Sequence, residues 1–130
     1  MENQTEVVAM LHTELLKLGE KLAKNFMELE VARAAGRDRY VVCTGERSIC
    51  APCKFEGTRA NPTVVRGIFS ASSSTKFDDK QYADSLAERV RDGAGNRAWV
   101  TTEIEAYERE TAGLSQVYST MHRRYAELTK

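Results

Sequence analysis

The chain has 130 residues and lacks a long apolar run and any net charge. No stretch approaches the roughly 20 apolar residues that a membrane-spanning helix needs. Residues 1–30 are amphipathic and contain acids throughout, unlike a signal peptide. We therefore expect a soluble, cytoplasmic protein with no membrane contact. Nineteen Lys and Arg balance nineteen Asp and Glu, so no overall attraction to nucleic acid or to a membrane is indicated.

Cysteine and histidine are both scarce. Three cysteines, an odd number, favour a reducing compartment over a disulfide framework. Cys43, Cys50 and Cys53 have a C-x6-C-x2-C spacing, and C-x2-C is half of a zinc knuckle. The fourth ligand would have to come from elsewhere, because His12 and His122 are expected at the far end of the long helices. Buried structural cysteines are therefore favoured over a zinc site or a redox role, and we expect no cofactor and no metal.

Catalytic motifs are also lacking. The glycines are scattered, and no glycine turn is followed by the Lys-Ser/Thr of a phosphate-binding loop. Acids two positions apart on a helix, such as Glu103 and Glu105, diverge and cannot act as a general acid–base pair. The sequence therefore predicts a protein that is not an enzyme.

The strongest positive pattern is a pair of heptad seams, one at each end of the chain. Their apolar positions alternate steps of three and four, which buries a narrow stripe of one helix against another. The first seam comprises Val8, Leu11, Leu15, Leu18, Leu22, Asn25, Leu29 and Ala32. The second comprises Val100, Ile104, Tyr107, Thr111, Leu114, Tyr118, Met121, Tyr125 and Leu128.

These seams predict a coiled-coil protein, with the pairing within one chain or between chains left open. An amide in a seam, such as Asn25, can fix register and oligomer number. The predicted oligomer interface comprises Leu11, Leu15, Leu18, Leu22, Asn25, Leu29, Ile104, Tyr107, Leu114, Tyr118, Met121 and Tyr125.

Short segments rich in β-branched and aromatic residues lie between the seams and predict strands. They cover residues 39–44, 48–55 and 63–72. Pro52 cannot donate to a strand ladder, so the second strand is expected at the sheet edge or broken there. Asp78 or Asp79 can cap a short helix, and the last helix is expected to begin near Asn96.

The predicted fold class is α+β and mostly helical, with two long heptad-patterned helices flanking a small antiparallel β-sheet, plus one shorter helix. We expect a single domain over residues 1–130. It is divided into a long helix in 1–36, a small basic β-sheet region in 37–75, a short helix in 76–93 and a long helix in 96–130.

The charge is segregated although it sums to zero. Residues 33–76 hold eight bases and only three acids. A solvated, loop-rich segment explains this excess, and so does a surface that meets an acidic partner or a phosphate. The candidate partner or phosphate site comprises Arg33, Arg37, Arg39, Arg47, Arg59 and Arg66.

Two stretches resemble prefoldin subunits: Ala51-Pro52-Cys53-Lys54-Phe55, and Val100 to Glu108 (VTTEIEAYE) in the second long helix. The order of helix, small sheet and helix is similar as well. This resemblance implies an antiparallel helical hairpin with the sheet at its far end. It also implies a chaperone subunit that assembles through its β-hairpins.

The leading hypothesis is a non-enzymatic, oligomeric coiled-coil protein that acts as an adaptor, assembly or inhibitor module. Its helices would set a homo- or hetero-oligomer, and its basic β region would contact an acidic protein partner. The alternatives are a protein that binds nucleic acid or a phosphate-containing ligand through the arginine-rich segment, and a chaperone subunit of prefoldin-like shape.

Overall fold

The computed structural model describes residues 2–45, 51–94 and 97–130, with the side chains of residues 2, 3 and 92–94 left out. It confirms the α+β, mostly helical fold class. The elements in chain order are α1 (Glu2–Ala34), β1 (Tyr40–Thr44), β2 (Ala51–Pro52), β3 (Phe55–Gly57), β4 (Pro62–Val64), α2 (Lys80–Ala94), β5 (Ala98–Thr102) and α3 (Glu103–Leu128).

The two long helices pack against each other as an antiparallel hairpin within one chain. At the open end, the Gln4 side-chain amide donates to the carbonyl oxygen of Leu128 at 3.4 Å. Further along, the rings of His12 and Tyr125 lie 5.9 Å apart. The helices therefore run in opposite directions, as the resemblance to prefoldin subunits implies. Gly36, at a φ of 71°, follows the end of α1 and supplies the left-handed conformation that favours glycine.

A three-stranded antiparallel sheet, with the order β2-β1-β5, lies at the other end of the hairpin. The last helix does not begin near Asn96, as the sequence predicted, because Ala98–Thr102 form strand β5. All five of its residues pair with β1, from Tyr40 opposite Thr102 to Thr44 opposite Ala98. Val100 therefore belongs to a strand and not to a helical seam. The helix begins only after Thr102, whose side chain accepts from the backbone N–H of Glu105 and caps it.

The predicted second and third strands are shorter than expected. Residues 46–50 lie outside the described ranges, and the predicted strand 48–55 is interrupted after Pro52. Strand β3 leaves the main sheet and pairs with β4 in a separate two-stranded sheet. The expected strand 63–72 ends at Val64. Its last part falls in the turn from Ser70 to Ser74, where serine hydroxyl oxygens accept hydrogen bonds from backbone N–H groups.

Alternating residues of β1 bury opposite faces of the sheet. Val41 and Cys43 face a cluster with Leu29, Trp99 and Tyr107, which belongs to the base of the hairpin. Val42 faces the other cluster, where α2 covers the sheet with Ala83, Leu86 and Ala87. The Asp79 carboxylate accepts from the backbone N–H groups of Gln81 and Tyr82 and caps α2, as the sequence predicts.

The buried side chain of Asn25 is expected to destabilise the folded protein. It is 3 % exposed, and its side-chain NH2 has no hydrogen-bond partner among the described residues. Replacing a buried, unpaired polar group by an apolar one removes a desolvation cost of about 1–3 kcal/mol. We therefore expect Asn25→Leu to raise the free energy of unfolding, measured by urea denaturation, by about 1 kcal/mol.

Gln116 is the matched control, because it is also an amide on a long helix but is exposed. Gln116→Leu should change the free energy of unfolding by less than about 0.5 kcal/mol. A clear loss of stability in Asn25→Leu would show that the amide has a partner that the variant removes.

Candidate functional site

A pocket of about 370 Å³ opens where α1 ends and α3 begins. We call it the junction pocket. Its walls come from the last turns of α1, the connection to β1, the serine-rich turn and the start of α3. The lining residues are Glu28, Val31, Ala32, Ala35, Arg37, Arg39, Ser72, Lys76, Glu103 and Tyr107.

Arg39 and Glu103 form a two-pronged ion pair in this pocket. The Nε of Arg39 donates to one carboxylate oxygen of Glu103 at 3.0 Å, and Nη2 donates to the other. The Glu103 side chain is 8 % exposed, whereas that of Arg39 is 43 % exposed. The hydrogen bonds to Glu103 raise the pKa of Arg39 further above its usual value. This pair fixes the orientation of both side chains because the geometry is bidentate.

A second polar group joins α1, α3 and the serine-rich turn. The Tyr107 hydroxyl donates to the Glu28 carboxylate, and the Ser72 hydroxyl donates to the other Glu28 oxygen at 3.3 Å. Burial of the phenol, together with its hydrogen bond to Glu28, raises the pKa of Tyr107 well above its usual value. Glu28 is thus held by two hydroxyl donors.

Lys76 is the cation that lies between these two groups. Its ammonium donates to the carbonyl oxygens of Ser72 and Ser74 at 2.8 and 2.9 Å, and it lies 5.8 Å from the centre of the Tyr107 ring. Among the described residues no carboxylate lies within 4.0 Å of it. Desolvation by burial lowers the pKa of Lys76, and the fields of Glu103 and Glu28 oppose this effect without cancelling it.

The six arginines of the candidate partner or phosphate site are separated in the structure. Arg37 and Arg39 line the junction pocket, while Arg33 pairs with Glu30 on α1. Arg59 pairs with Asp79 at 2.8 Å and stacks on the Tyr82 ring, on the α2 side of the sheet. Arg66 is exposed, and Arg47 lies outside the described residues. Four of the six are therefore already ion-paired, counting Arg37, whose nearest carboxylate oxygen on Asp78 is at 3.8 Å.

The predicted oligomer interface packs inside the chain. All twelve residues are buried or half-buried, with Leu15, Asn25, Leu29 and Tyr107 buried, and their two helices contact each other within one chain. They are Leu11, Leu15, Leu18, Leu22, Asn25, Leu29, Ile104, Tyr107, Leu114, Tyr118, Met121 and Tyr125. The two seams thus face each other within one chain, and eight of the twelve residues stay half-buried there.

A different apolar surface on α1 is exposed. Of the nine large apolar side chains that are exposed in the described part of the chain, six belong to α1. We call the four most exposed of these six the outward face of α1: Met10 (67 % exposed), Leu16 (58 %), Met27 (71 %) and Val31 (71 %). On α3, Val117 alone belongs to this set of nine.

Two of the three cysteines belong to the described residues. Cys43 and Cys53 are both buried and belong to the clusters on opposite sides of the sheet; Cys50 lies outside the described residues. Within the described ranges no group of three His, Cys, Asp or Glu side chains could hold a metal. His12 and His122 lie on the hairpin, next to Tyr125 and Tyr118 respectively.

Comparison with known proteins finds no matching family model, no matching curated protein and no matching solved structure. In the described ranges, no helix combines the length and the apolar character needed to cross a membrane. The function therefore has to be inferred from the chain's own geometry.

Sequence reasoning missed most of the junction pocket. Glu28, Ser72, Lys76 and Glu103 were not candidate site residues, and Tyr107 was a candidate only for the helix interface. Their one available signal was the isolated charge of Lys76 after a serine run. The pairing of Arg39 with Glu103 depends on strand register across 64 positions, which the local sequence does not reveal.

The raised pKa of Tyr107 predicts a loss of stability in alkali. A group whose folded-state pKa is raised contributes its full stability below its unfolded value, about 10 for tyrosine, and loses that contribution as the pH rises above it. We expect the free energy of unfolding of the wild type to fall as the pH rises from about 10 to about 12. Tyr107→Phe should show a smaller fall, because its ring cannot ionise.

Tyr118→Phe is the matched control, since Tyr118 lies on the same helix outside the pocket. It should retain the wild-type alkaline fall, measured by urea denaturation at each pH. An identical pH profile for Tyr107→Phe and the wild type would contradict the assignment.

Proposed function

We propose that the protein is a non-enzymatic interaction module that assembles into a symmetric dimer through the outward face of α1. The observation that carries this proposal is the concentration of exposed apolar side chains on α1. That helix already packs its seam on α3, so its outward apolar residues are not needed for the hairpin. Exposed apolar surface of this kind marks a protein contact.

The charge pattern of α1 favours a second copy as the partner. Residues 2–16 contain three acids, Glu2, Glu6 and Glu14, and no Lys or Arg. Residues 17–24 contain three bases, Lys17, Lys21 and Lys24, and one acid. Two α1 helices that pack antiparallel about Leu16 place Glu14 of each helix near Lys17 and Lys21 of the other. A parallel pairing would place like charges together, which is unfavourable.

This antiparallel arrangement is a twofold one, in which each contact occurs twice. The axis falls between the acidic and basic segments, within one helical turn of Leu16. Leu16 would then pack close to its own symmetry mate, with Met10 and Met27 further out along the contact.

Both carboxylates in the pocket already accept hydrogen bonds from other side chains of the chain, which supports a non-enzymatic role. Glu103 accepts two hydrogen bonds from Arg39, and Glu28 accepts from Tyr107 and Ser72. A general base must be within reach of a substrate proton with a free acceptor. Carboxylates committed to internal donors fit a positioning role better than proton transfer.

Leu16→Lys should weaken the dimer. The variant places two additional cations near the twofold axis and next to Lys17, while the side chain is exposed in the single chain and the fold should persist. We expect the dissociation constant of the dimer, measured by light scattering and sedimentation over a dilution series, to rise at least about tenfold.

Val117→Lys is the matched control, because Val117 is 48 % exposed on α3 and outside the outward face of α1. It should dimerise as the wild type does, and circular dichroism should show the same helix content in both variants. A wild-type protein that stays monomeric at high concentration, or equal weakening by both variants, would overturn the proposal.

A further inference from the structure

We infer that the junction pocket binds a small ligand in which an anionic group, a carboxylate or a phosphate, is joined to a short apolar part. This site shares Val31 with the outward face of α1 but lies about 22 Å along the helix from Leu16. The inference starts from Lys76, the charge in the pocket that is least compensated.

The Lys76 ammonium has the geometry of an anion-binding group with one donor to spare. It has three N–H donors, and two are used on the neutral carbonyl oxygens of Ser72 and Ser74. The carbonyl oxygens hold the ammonium in place, but they do not neutralise it. A half-buried charge without a paired opposite charge is costly, and an anion in the pocket would offset that cost.

Two guanidinium groups line the same pocket as this ammonium. Arg39 uses Nε and Nη2 on Glu103, so Nη1 stays available as a donor in the same plane. Arg37 is 71 % exposed, and its nearest carboxylate oxygen, on Asp78, is 3.8 Å away. Arginine is well suited to carboxylate and phosphate groups because its donors form a planar fork.

The two carboxylates in the pocket wall do not fill the role of that anion. Glu103 is held in the bidentate pair with Arg39, and Glu28 is held by Tyr107 and Ser72. Their fields reach Lys76, yet the pKa of Lys76 remains lowered because desolvation is the larger effect. The positive charge at Lys76 is thus only partly compensated.

The remaining wall of the pocket is apolar and small. Val31 and Ala32 belong to the last turn of α1, and Ala35 directly follows the helix. A volume of about 370 Å³ lies at the lower end of the range typical of small-molecule sites, roughly 300–1,000 Å³. The lining therefore favours a compact amphipathic anion over a bare ion.

The test is a titration of the full chain with four probes, followed by NMR chemical shifts and calorimetry. Butyrate and phenyl phosphate carry an apolar part, while acetate and inorganic phosphate are the matched bare anions. We expect saturable binding below about 10 mM for at least one of the first pair, and weaker binding of its bare counterpart. The preferred pair tells a carboxylate ligand from a phosphate ligand.

Three lysine variants connect binding to the pocket. Lys76→Met should weaken binding at least about tenfold, because a charge-assisted hydrogen bond is lost. Lys76→Arg should retain part of it. Lys80→Met is the matched control, because Lys80 pairs with Asp84 on the surface of α2, and it should bind as the wild type does.

Arg37→Gln keeps the test decisive if Lys76→Met fails to fold, because the Arg37 side chain is exposed. It should fold normally and bind the preferred probe several-fold more weakly. The inference is overturned if no probe binds, or if folded Lys76 and Arg37 variants bind as the wild type does. Binding in the Leu16→Lys background should be unchanged, so failure of the dimer and failure of the pocket can be told apart.

Discussion

The antiparallel pairing of β1 with β5 is the constraint on which the rest of the fold depends. Strand β1 follows α1 after five residues, and α3 begins directly after β5. Five consecutive residue pairs, from Tyr40–Thr102 to Thr44–Ala98, fix the register of these strands. The end of α1 and the start of α3 are consequently held side by side and point in opposite directions. The heptad seams then continue this alignment along the hairpin, and α2 covers the face of the sheet that the hairpin leaves open.

The same register creates the junction pocket. Because Tyr40 lies opposite Thr102, the flanking residues Arg39 and Glu103 are neighbours, and the backbone N–H of Glu103 donates to the carbonyl oxygen of Arg39 at 2.8 Å. The side-chain pair between the same two residues follows from this backbone contact. A shift of the β1–β5 register by one residue would separate Glu103 from Arg39. It would also exchange the two faces of the strand, so that side chains meant for one cluster would point toward the other. The strand register thus determines which charged side chains meet in the pocket.

Local patterns predicted the elements with strong periodicity and missed those that depend on distant pairing. The seam from Val8 to Ala32 predicted a long helix within residues 1–36, and α1 covers Glu2–Ala34, because a 3.5-residue repeat has few other solutions. Ala98–Thr102 was predicted as helix, since Val100 fits the helical spacing as well as a strand pattern. Tertiary pairing with β1 decided between them. Of the five candidate arginines in the described part of the chain, only Arg37 and Arg39 line the pocket. Lys76, Glu28 and Glu103 come from segments far apart in sequence.

The outward face of α1 and the junction pocket share one residue, Val31, which is exposed on the helix and also lines the pocket. Val31 lies 15 residues from Leu16, which is about 22 Å along the helix axis. A charge introduced at Leu16 is therefore well beyond the Debye length of about 8 Å at physiological ionic strength. Electrostatic coupling between the two sites through solvent should be small. Coupling through contact would have to pass through Val31, because it is the one side chain common to both surfaces.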